Sequence, residues 1–459
     1  MDADGARWLA LHRGPGETLR AALERTVREE IRAGALREGV RLPSSRALAD
    51  ALGVSRGVVS EAYGQLDAQG FLVTRPRAAP LVAAVPRTAA PRREPEPPAP
   101  APRFDLTPTT PDVTLFPLTR WLAAAQQVAR RASSATLDYR ESRGEPALRA
   151  ALADHLGRTR GVIAEPEQIV VAQGTAQGIF LLLRILSARG ASRIAVEDPS
   201  HTTQHERIRA FGFEVVPHPV DDEGMAVAGL DADAVLVTPA HQFPIGSVLS
   251  GERRRQLLVW SRERGGLIVE DDYDAEFRYD RKPVRALQGL SPQQVVQLGT
   301  VSKTLAPALR LGWLVVPPEL ADEAGHTKRL LDDFSPALDQ LALAELLTRG
   351  DYDRHVRRAR VAYRRRRDRL LAALAKHLPG LTIEGVAAGL HVLLRLPSGV
   401  SDAGIAEAAR RARIRVPPLS AYRIRPADDG GLVIGYGRLH ESAVEPATRA
   451  LAKVIEAHL

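Results

Sequence analysis

At 459 residues the chain has the length of two to three ordinary domains. Its 44% hydrophobic and 26% charged residues supply a large core and exclude wholesale disorder. With no cysteine, disulfides, thiolate metal sites and cysteine nucleophiles are excluded, while a formal charge of +8 is compatible with a nucleic-acid partner without establishing one. No run of about 18 apolar residues occurs, and Met1 to Arg13 has no apolar stretch of signal-peptide type, so no membrane partner and a cytoplasmic location are expected. Only Lys282, Lys303, Lys328, Lys376 and Lys453 are lysines among 63 basic residues.

The first 77 residues read as helix, helix, turn, helix and strand. Leu19, Leu23, Val27 and Ile31 recur every four residues on a helix that ends near Gly34. Ser44 and Ser45 follow Pro43 and can cap a second helix, which carries Leu48 and Leu52 inward and stops at Gly53. Ser55 can cap a third helix that buries Val58, Val59, Ala62, Tyr63 and Leu66 and ends at Gly70. The stretch Phe71 to Arg75 reads as a strand. Two short helices around a glycine turn, then a strand, fit a winged helix-turn-helix. On its third helix, Ser55, Arg56, Gly57 and Ser60 occupy the N-terminal positions that face base edges in the major groove of double-stranded DNA, and Arg56 could bind a guanine bidentately. This segment holds 12 arginines and 10 acidic residues, so its charge alone does not mark it as a DNA reader.

From Pro76 to Pro102 nine of 27 residues are proline, which excludes regular helix or a central strand. The expected organisation is a DNA-binding domain over residues 1–77, a linker over 78–104 and a large domain over 105–459. The large domain alternates helical stretches with apolar strands expected at Ile169–Ala172, Arg193–Glu197, Ala234–Thr238, Leu267–Asp271, Val295–Gly299 and Trp313–Val316. That alternation predicts a mostly parallel α/β sheet with its ligand at the carboxyl ends of the strands.

Four features stand just after or before those strands. Gln173-Gly174-Thr175-Ala176-Gln177 is a glycine turn into an apolar helix, whose free N–H groups suit a phosphate. Glu270-Asp271-Asp272-Tyr273-Asp274 crowds three aspartates at a strand end, where they repel one another unless a positive group compensates. Thr300-Val301-Ser302-Lys303-Thr304 places a scarce lysine between hydroxyl residues, and Arg310 lies seven residues beyond it, able to grip a phosphate. Phosphate cradle, imine-forming lysine, carboxylate and phenol are together the needs of pyridoxal phosphate.

The large domain resembles the fold type I aminotransferases. The whole chain resembles the MocR/GabR subgroup of the GntR transcriptional regulators, in which that fold follows a winged helix. The resemblance rests on Arg41-Leu-Pro-Ser-Ser-Arg46, Leu52-Gly-Val-Ser-Arg56, Glu197-Asp-Pro199, Thr238-Pro239 with His241-Gln-Phe-Pro244, the stretch Glu270 to Tyr279, and Gly299-Thr-Val-Ser-Lys-Thr-Leu-Ala-Pro-Ala-Leu-Arg-Leu-Gly312. It implies that Lys303 forms the internal aldimine, that Asp271 pairs with the pyridine nitrogen and Tyr273 with the ring 3-oxygen. Gly174, Thr175, Ser302 and Arg310 would hold the phosphate. Tyr139 would reach the phosphate of a partner subunit in a head-to-tail homodimer, and His201 would stack on the ring. Arg46 matches a DNA-contacting arginine of the family, Ser44 and Ser45 would meet phosphate, and Arg75 or Arg77 would meet the minor groove or a phosphate from the wing.

Three positions depart from the family. His201 stands where an aromatic such as tyrosine is usual, and Ile245 replaces a small hydroxyl residue. Where many aminotransferases keep an arginine to clamp the substrate carboxylate, Leu432 falls at about that place. Either Arg415, Arg423 or Arg438 substitutes, or the ligand is not a simple amino acid. The resemblance implies a regulator that binds pyridoxal phosphate and senses a small-molecule effector, an amine, an amino acid or the cofactor itself, with control of vitamin B6 synthesis as one outcome. The alternative is an active aminotransferase carrying a DNA-binding module.

Overall fold

A computed structural model describes residues 11–76, 78–84, 101–280 and 284–459. In the first unit, Thr18 caps helix α1 (Leu19–Ala33), whose turned-in residues Leu23, Val27 and Ile31 are buried; Gly34 closes it in a left-handed conformation. Helix α2 (Ser45–Leu52) is capped by Ser44 and closed by Gly53, and helix α3 (Arg56–Ala68) is capped by Ser55. Val59, Ala62, Tyr63 and Leu66 of α3 join the α1 face and Leu48 in one core, while Val58 is only half-buried.

The wing is smaller than expected and reaches further along the chain. Its strands are β1 (Leu72–Val73) and β2 (Leu81–Val82), paired antiparallel as Leu72 with Val82 and Val73 with Leu81. The second strand therefore lies inside the stretch read as linker, because Leu81 and Val82 are apolar residues between two prolines and Val82 is buried in the winged core. Arg77 lies outside the described residues. The chain divides into Met1–Ala99 and Pro100–Leu459, and Phe104 is already part of the second unit, where β3 (Phe104–Asp105) pairs with Ile414 and Arg415.

The second unit begins with helices α4 (Leu118–Arg131) and α5 (Pro146–Arg160), followed by β4 (Ile169–Ala172) and α6 (Thr175–Ala188). Then come β5 (Arg193–Asp198), α7 (Thr202–Ala210), β6 (Glu214–Asp221), β7 (Gly224–Met225), β8 (Ala234–Val237), α8 (Gly251–Arg264), β9 (Leu267–Asp272), β10 (Val295–Thr300) and β11 (Gly312–Val315). These strands form one sheet in the order β4-β11-β10-β9-β8-β5-β6-β7. Neighbours from β10 to β6 are parallel, whereas β11 runs antiparallel to both β10 and β4. Four strands, β4, β8, β10 and β11, are buried at every residue, as a sheet covered on both faces requires. The sequence expectation for the large unit, a mostly parallel α/β sheet, describes this architecture.

Helices α9 (Ala321–Asp332), α10 (Ala337–Thr348) and α11 (Asp351–His377) lead to a small antiparallel sheet. That sheet has the order β12 (Ile383–Glu384), β13 (His391–Arg395), β15 (Gly431–Gly435), with α12 (Asp402–Arg411), β14 (Ile414–Arg415) and α13 (Val444–Glu456) around it. The arginine-rich α11 is largely a structural helix. Arg366 is buried and bonds the Gly437 carbonyl and Asp112, and Arg360 bonds the Glu276 carbonyl, while Arg357, Arg358 and Arg365 are exposed.

Candidate functional site

The carboxyl ends of β4, β5, β8, β9 and β10 meet at one edge of the large sheet, and the start of the antiparallel β11 comes to the same edge. Brought together there are Gly174-Thr175, His201, His241, Asp271-Tyr273, Ser302-Lys303 and Arg310. Such an edge is where open α/β sheets bind ligands.

Gly174 has φ +80, and a Cβ on it would lie 3.3 Å from Arg310 Nη1, so only glycine leaves the room between the turn and the guanidinium. Arg310 Nη2 donates to the Gln173 carbonyl at 2.5 Å, which fixes the guanidinium over the N-terminus of α6. Thr300 Oγ1 accepts from the Ser302 backbone N–H at 3.1 Å and donates to the Leu311 carbonyl. The Ser302 hydroxyl is thereby held next to Thr300, 2.9 Å away. Helix N-terminus, guanidinium and hydroxyls together make an anion cradle.

The three aspartates are not a solvated acidic turn. Each has its own partner. Asp272 accepts from Arg160 Nε at 2.8 Å and Gln297 Nε2 at 3.1 Å. Asp274 bonds His241 Nδ1 at 2.9 Å. Asp271 accepts at Oδ2 from Gln204 Nε2, 2.7 Å away, and its Oδ1 is buried without any hydrogen-bond partner. Burial pushes the Asp271 carboxyl up to about 6, against the Gln204 bond that lowers it. An orphaned buried carboxylate oxygen is costly unless a ligand N–H meets it.

Lys303 is half-buried, and burial holds its amine below the ordinary lysine value against the opposing pull of Asp274 and Asp271. A neutral amine is the form that attacks a carbonyl carbon. Tyr273 is buried and donates to the His241 carbonyl at 3.1 Å; burial, with Asp274 next, raises its phenol well above the ordinary value. His201 stacks face to face on Phe243 with centroids 3.9 Å apart and planes at 6°, and burial pushes its imidazole down to about 3, with Lys303 the next cause. Gly389, at φ +69, lets the chain pass His241; a Cβ there would lie 2.1 Å from His241 Cε1.

Strand register corrects one position. Residues alternate faces along a strand, and Val433 pairs with Leu393. Leu432 and Ile434 point into the core under α11 and α13, whereas Val433 packs with Phe243, Ile245 and Tyr273 on the face toward the site. The residue at the expected clamp position is therefore Val433, not Leu432. Each of the three proposed substitutes has an aspartate partner. Arg415 and Arg438 both pair with Asp105, at 3.6 and 3.2 Å, and Arg423 pairs with Asp429 at 2.5 Å.

Tyr139 is 86% exposed and touches Phe334 edge-on at 5.9 Å; among the described residues no bond joins it to Lys303 or the cradle. Sequence reasoning overlooked Gln204 and His391, and it placed His241 and Asp274 in motifs without giving either a role. Gln204 had a local signal, since it sits three residues beyond His201 on α7. The other three are partnered through contacts of 30 to 150 residues in separation that no local pattern encodes.

In the first unit, Ser44 and Ser55 accept capping bonds from Ala47 N at 3.2 Å and Val58 N at 3.4 Å, which leaves each hydroxyl proton available to a phosphate. Arg56 Nε lies 3.5 Å from Ser45 Oγ, so the starts of α2 and α3 adjoin. Arg46, Arg56, Gly57, Ser60 and Arg75 are exposed. A Cβ on Gly57 would meet only Ser55 Oγ, at 3.8 Å.

The orphaned Asp271 oxygen, the glycine-walled cradle and the depressed lysine fit pyridoxal phosphate, which when bound supplies an electron-withdrawing ring to an attached amine. Residues 108–436 match the family "Aminotransferase class I and II", and residues 19–82 match "Bacterial regulatory proteins, gntR family". The chain is 32% identical to the HTH-type pyridoxine biosynthesis transcriptional regulator PdxR of Corynebacterium glutamicum, over 95% of this chain and 96% of that one. It is 31% identical to the probable rhizopine catabolism regulatory protein MocR of Rhizobium meliloti, over 96% and 95%. An archaeal alanine:glyoxylate aminotransferase structure is similar at a TM-score of 0.72 and 26% identity, covering 78% of this chain and 91% of that one. A winged reader followed by an aminotransferase fold, matched by such relatives almost end to end, makes this chain a member of the MocR-type gntR-family regulators, a DNA-binding transcription regulator.

Proposed function

We propose that the chain regulates transcription by reading, at Lys303, the occupancy of a pyridoxal phosphate site and the arrival of a small amine-bearing molecule there. The buried, unpartnered Oδ1 of Asp271 carries this reading, because, unlike Asp272 with its Arg160, this carboxylate has no cation bonded to it among the described residues and suits a positively charged ring N–H. The relative from Corynebacterium glutamicum is named for pyridoxine biosynthesis, which supports the cofactor itself as one signal. The second unit acts as a sensor rather than a turning-over transaminase, since no arginine stands at the clamp position. An active aminotransferase would convert many equivalents of amino donor and keto acceptor per site; a sensor converts at most one. The working form is a head-to-tail homodimer in the cytoplasm. Exposed Tyr139 and Leu137, at 86% and 70%, support such a partner face. Two winged units in a dimer would contact two DNA half-sites, and the effector would act by favouring one of their arrangements.

The test combines absorption spectroscopy with DNA binding. Borohydride reduction of the cofactor-loaded protein should fix the label on Lys303, and a protein that never acquires a visible band with added cofactor would overturn the proposal. For the reader, duplexes selected from a random pool by the protein serve as probe. Arg56→Ala should weaken the selected duplex by roughly 10- to 100-fold while sparing random duplex. Arg75→Ala should weaken both alike and lower the salt slope by about one. If Arg56→Ala binds both as the wild type does, α3 is not the base-reading helix.

A further inference from the structure

Val433, Leu393 and His391 lie on one face of the small sheet, since β13 and β15 pair as Leu393 with Val433 and His391 with Gly435. This face meets Phe243, Ile245 and Tyr273, and His391 adjoins His241 and Phe243 with ring centroids 5.0 and 5.2 Å apart. His391 is 3% exposed, and neither ring nitrogen makes a hydrogen bond of good geometry, although the Pro244 carbonyl lies close and polar atoms of His241 and Asp274 stand within 4.8 Å of the ring's own. A buried imidazole with both nitrogens unused is a polar group awaiting a partner. Its surroundings select the charge of that partner. Asp271 and Asp274 are buried nearby, Arg415, Arg423 and Arg438 are bound to aspartates elsewhere, and Val433 offers only hydrocarbon. A carboxylate placed here meets two buried aspartates and, among the described residues, no unpaired arginine; the amine of the site, Lys303, is the group the bound cofactor takes up, and burial already disfavours its charge.

We infer that this side of the cofactor site takes a primary amine whose other polar group is uncharged, an amino alcohol or arylalkyl amino alcohol, with His391 bonding its hydroxyl and Phe243 and Val433 forming the apolar wall, rather than an amino acid. The inference rests on the pyridoxal phosphate reading of the site and narrows the ligand class within it.

Three probes with one skeleton test it: L-phenylalaninol, 2-phenylethylamine and L-phenylalanine, which differ only in carrying a hydroxymethyl, nothing or a carboxylate beside the amine. Cofactor-loaded full-length protein is titrated with each, by the shift of its visible band and by calorimetry. The alcohol should bind about tenfold or more tighter than the acid. Val433→Arg should reverse that order. His391→Phe, which keeps an aromatic of similar size, should erase the alcohol's advantage over 2-phenylethylamine without strengthening the acid, and it serves if Val433→Arg does not fold. Tighter binding of the acid by the wild type overturns the inference, as does an unchanged alcohol advantage in His391→Phe. A normal visible band with no response to any probe also overturns it while leaving the cofactor reading intact, and absence of the band removes both.

Discussion

Lys303→Ala should yield a folded protein that shows no borohydride-fixable visible band with any amount of cofactor. Cofactor retention should fall on the order of a hundredfold, about 2.7 kcal/mol. The reasoning is local to the site. Lys303 is the amine at this strand edge with its value depressed by burial, so the covalent anchor goes with it. The cradle of Gly174, Thr175, Ser302 and Arg310 remains, and weak phosphate-dependent binding should persist by equilibrium dialysis. Binding of random duplex DNA should be unchanged, because Arg46 and Arg56, the proposed readers, belong to the first unit. A Lys303→Ala protein that keeps a reducible band would place the anchor on another lysine.

The second large effect concerns Asp271 and pH. Burial raises its carboxyl from the ordinary 3.8 to about 6, which corresponds to on the order of 3 kcal/mol. In the folded, cofactor-free protein the proton is held more tightly than in the unfolded chain. Stability from this group is therefore full below about pH 4, falls as pH rises toward 6 and is lost above it. Asp271→Asn removes that penalty. The cofactor-free variant should be more stable than the wild type at pH 8, with a flatter profile between pH 4 and 6. Cofactor should then stabilise the wild type strongly at pH 8 and the variant little, since the amide cannot keep the ring nitrogen protonated. Thermal unfolding of both proteins with and without cofactor, at pH 4, 6 and 8, reads this out. Equal cofactor stabilisation of wild type and Asp271→Asn would show that Asp271 does not face the ring nitrogen. Glu197 and Glu270, each pushed up from the ordinary 4.5 to about 7 by burial, add a further fall in stability between those two values that both proteins share.

The two predictions draw on residues of different legibility. Lys303 stood out in sequence because lysine is scarce and because it follows a strand between hydroxyl residues. The state of Asp271 was not legible. Three neighbouring aspartates look alike in a sequence, and only the fold gives Asp272 to the Arg160 guanidinium, Asp274 to His241 and Asp271 to the neutral amide of Gln204, so that Asp271 is the one with no cation bonded to it. The wing shows the same limit, for two apolar residues inside a proline-rich run became a strand only because Leu72 and Val73 lay ready to pair with them.

By itself the sequence determined the local features: where helices begin at Thr18, Ser44 and Ser55, where they close at Gly34 and Gly53, and which runs become buried strands. Capping and periodicity act over three or four residues, so they are written in adjacent letters. It also carried the glycine turn at Gly174, the lysine and Arg310, each within a short motif at a strand end. Only the tertiary structure decided which carboxylate is left without a cation, that His391 and Val433 share a face while Leu432 turns away, and that three arginines are bound to aspartates elsewhere. Those outcomes depend on strand register and, apart from Arg423 and Asp429 only 6 residues apart, on side chains separated by 33 to 333 residues, and a shift of one residue along a strand exchanges core for site.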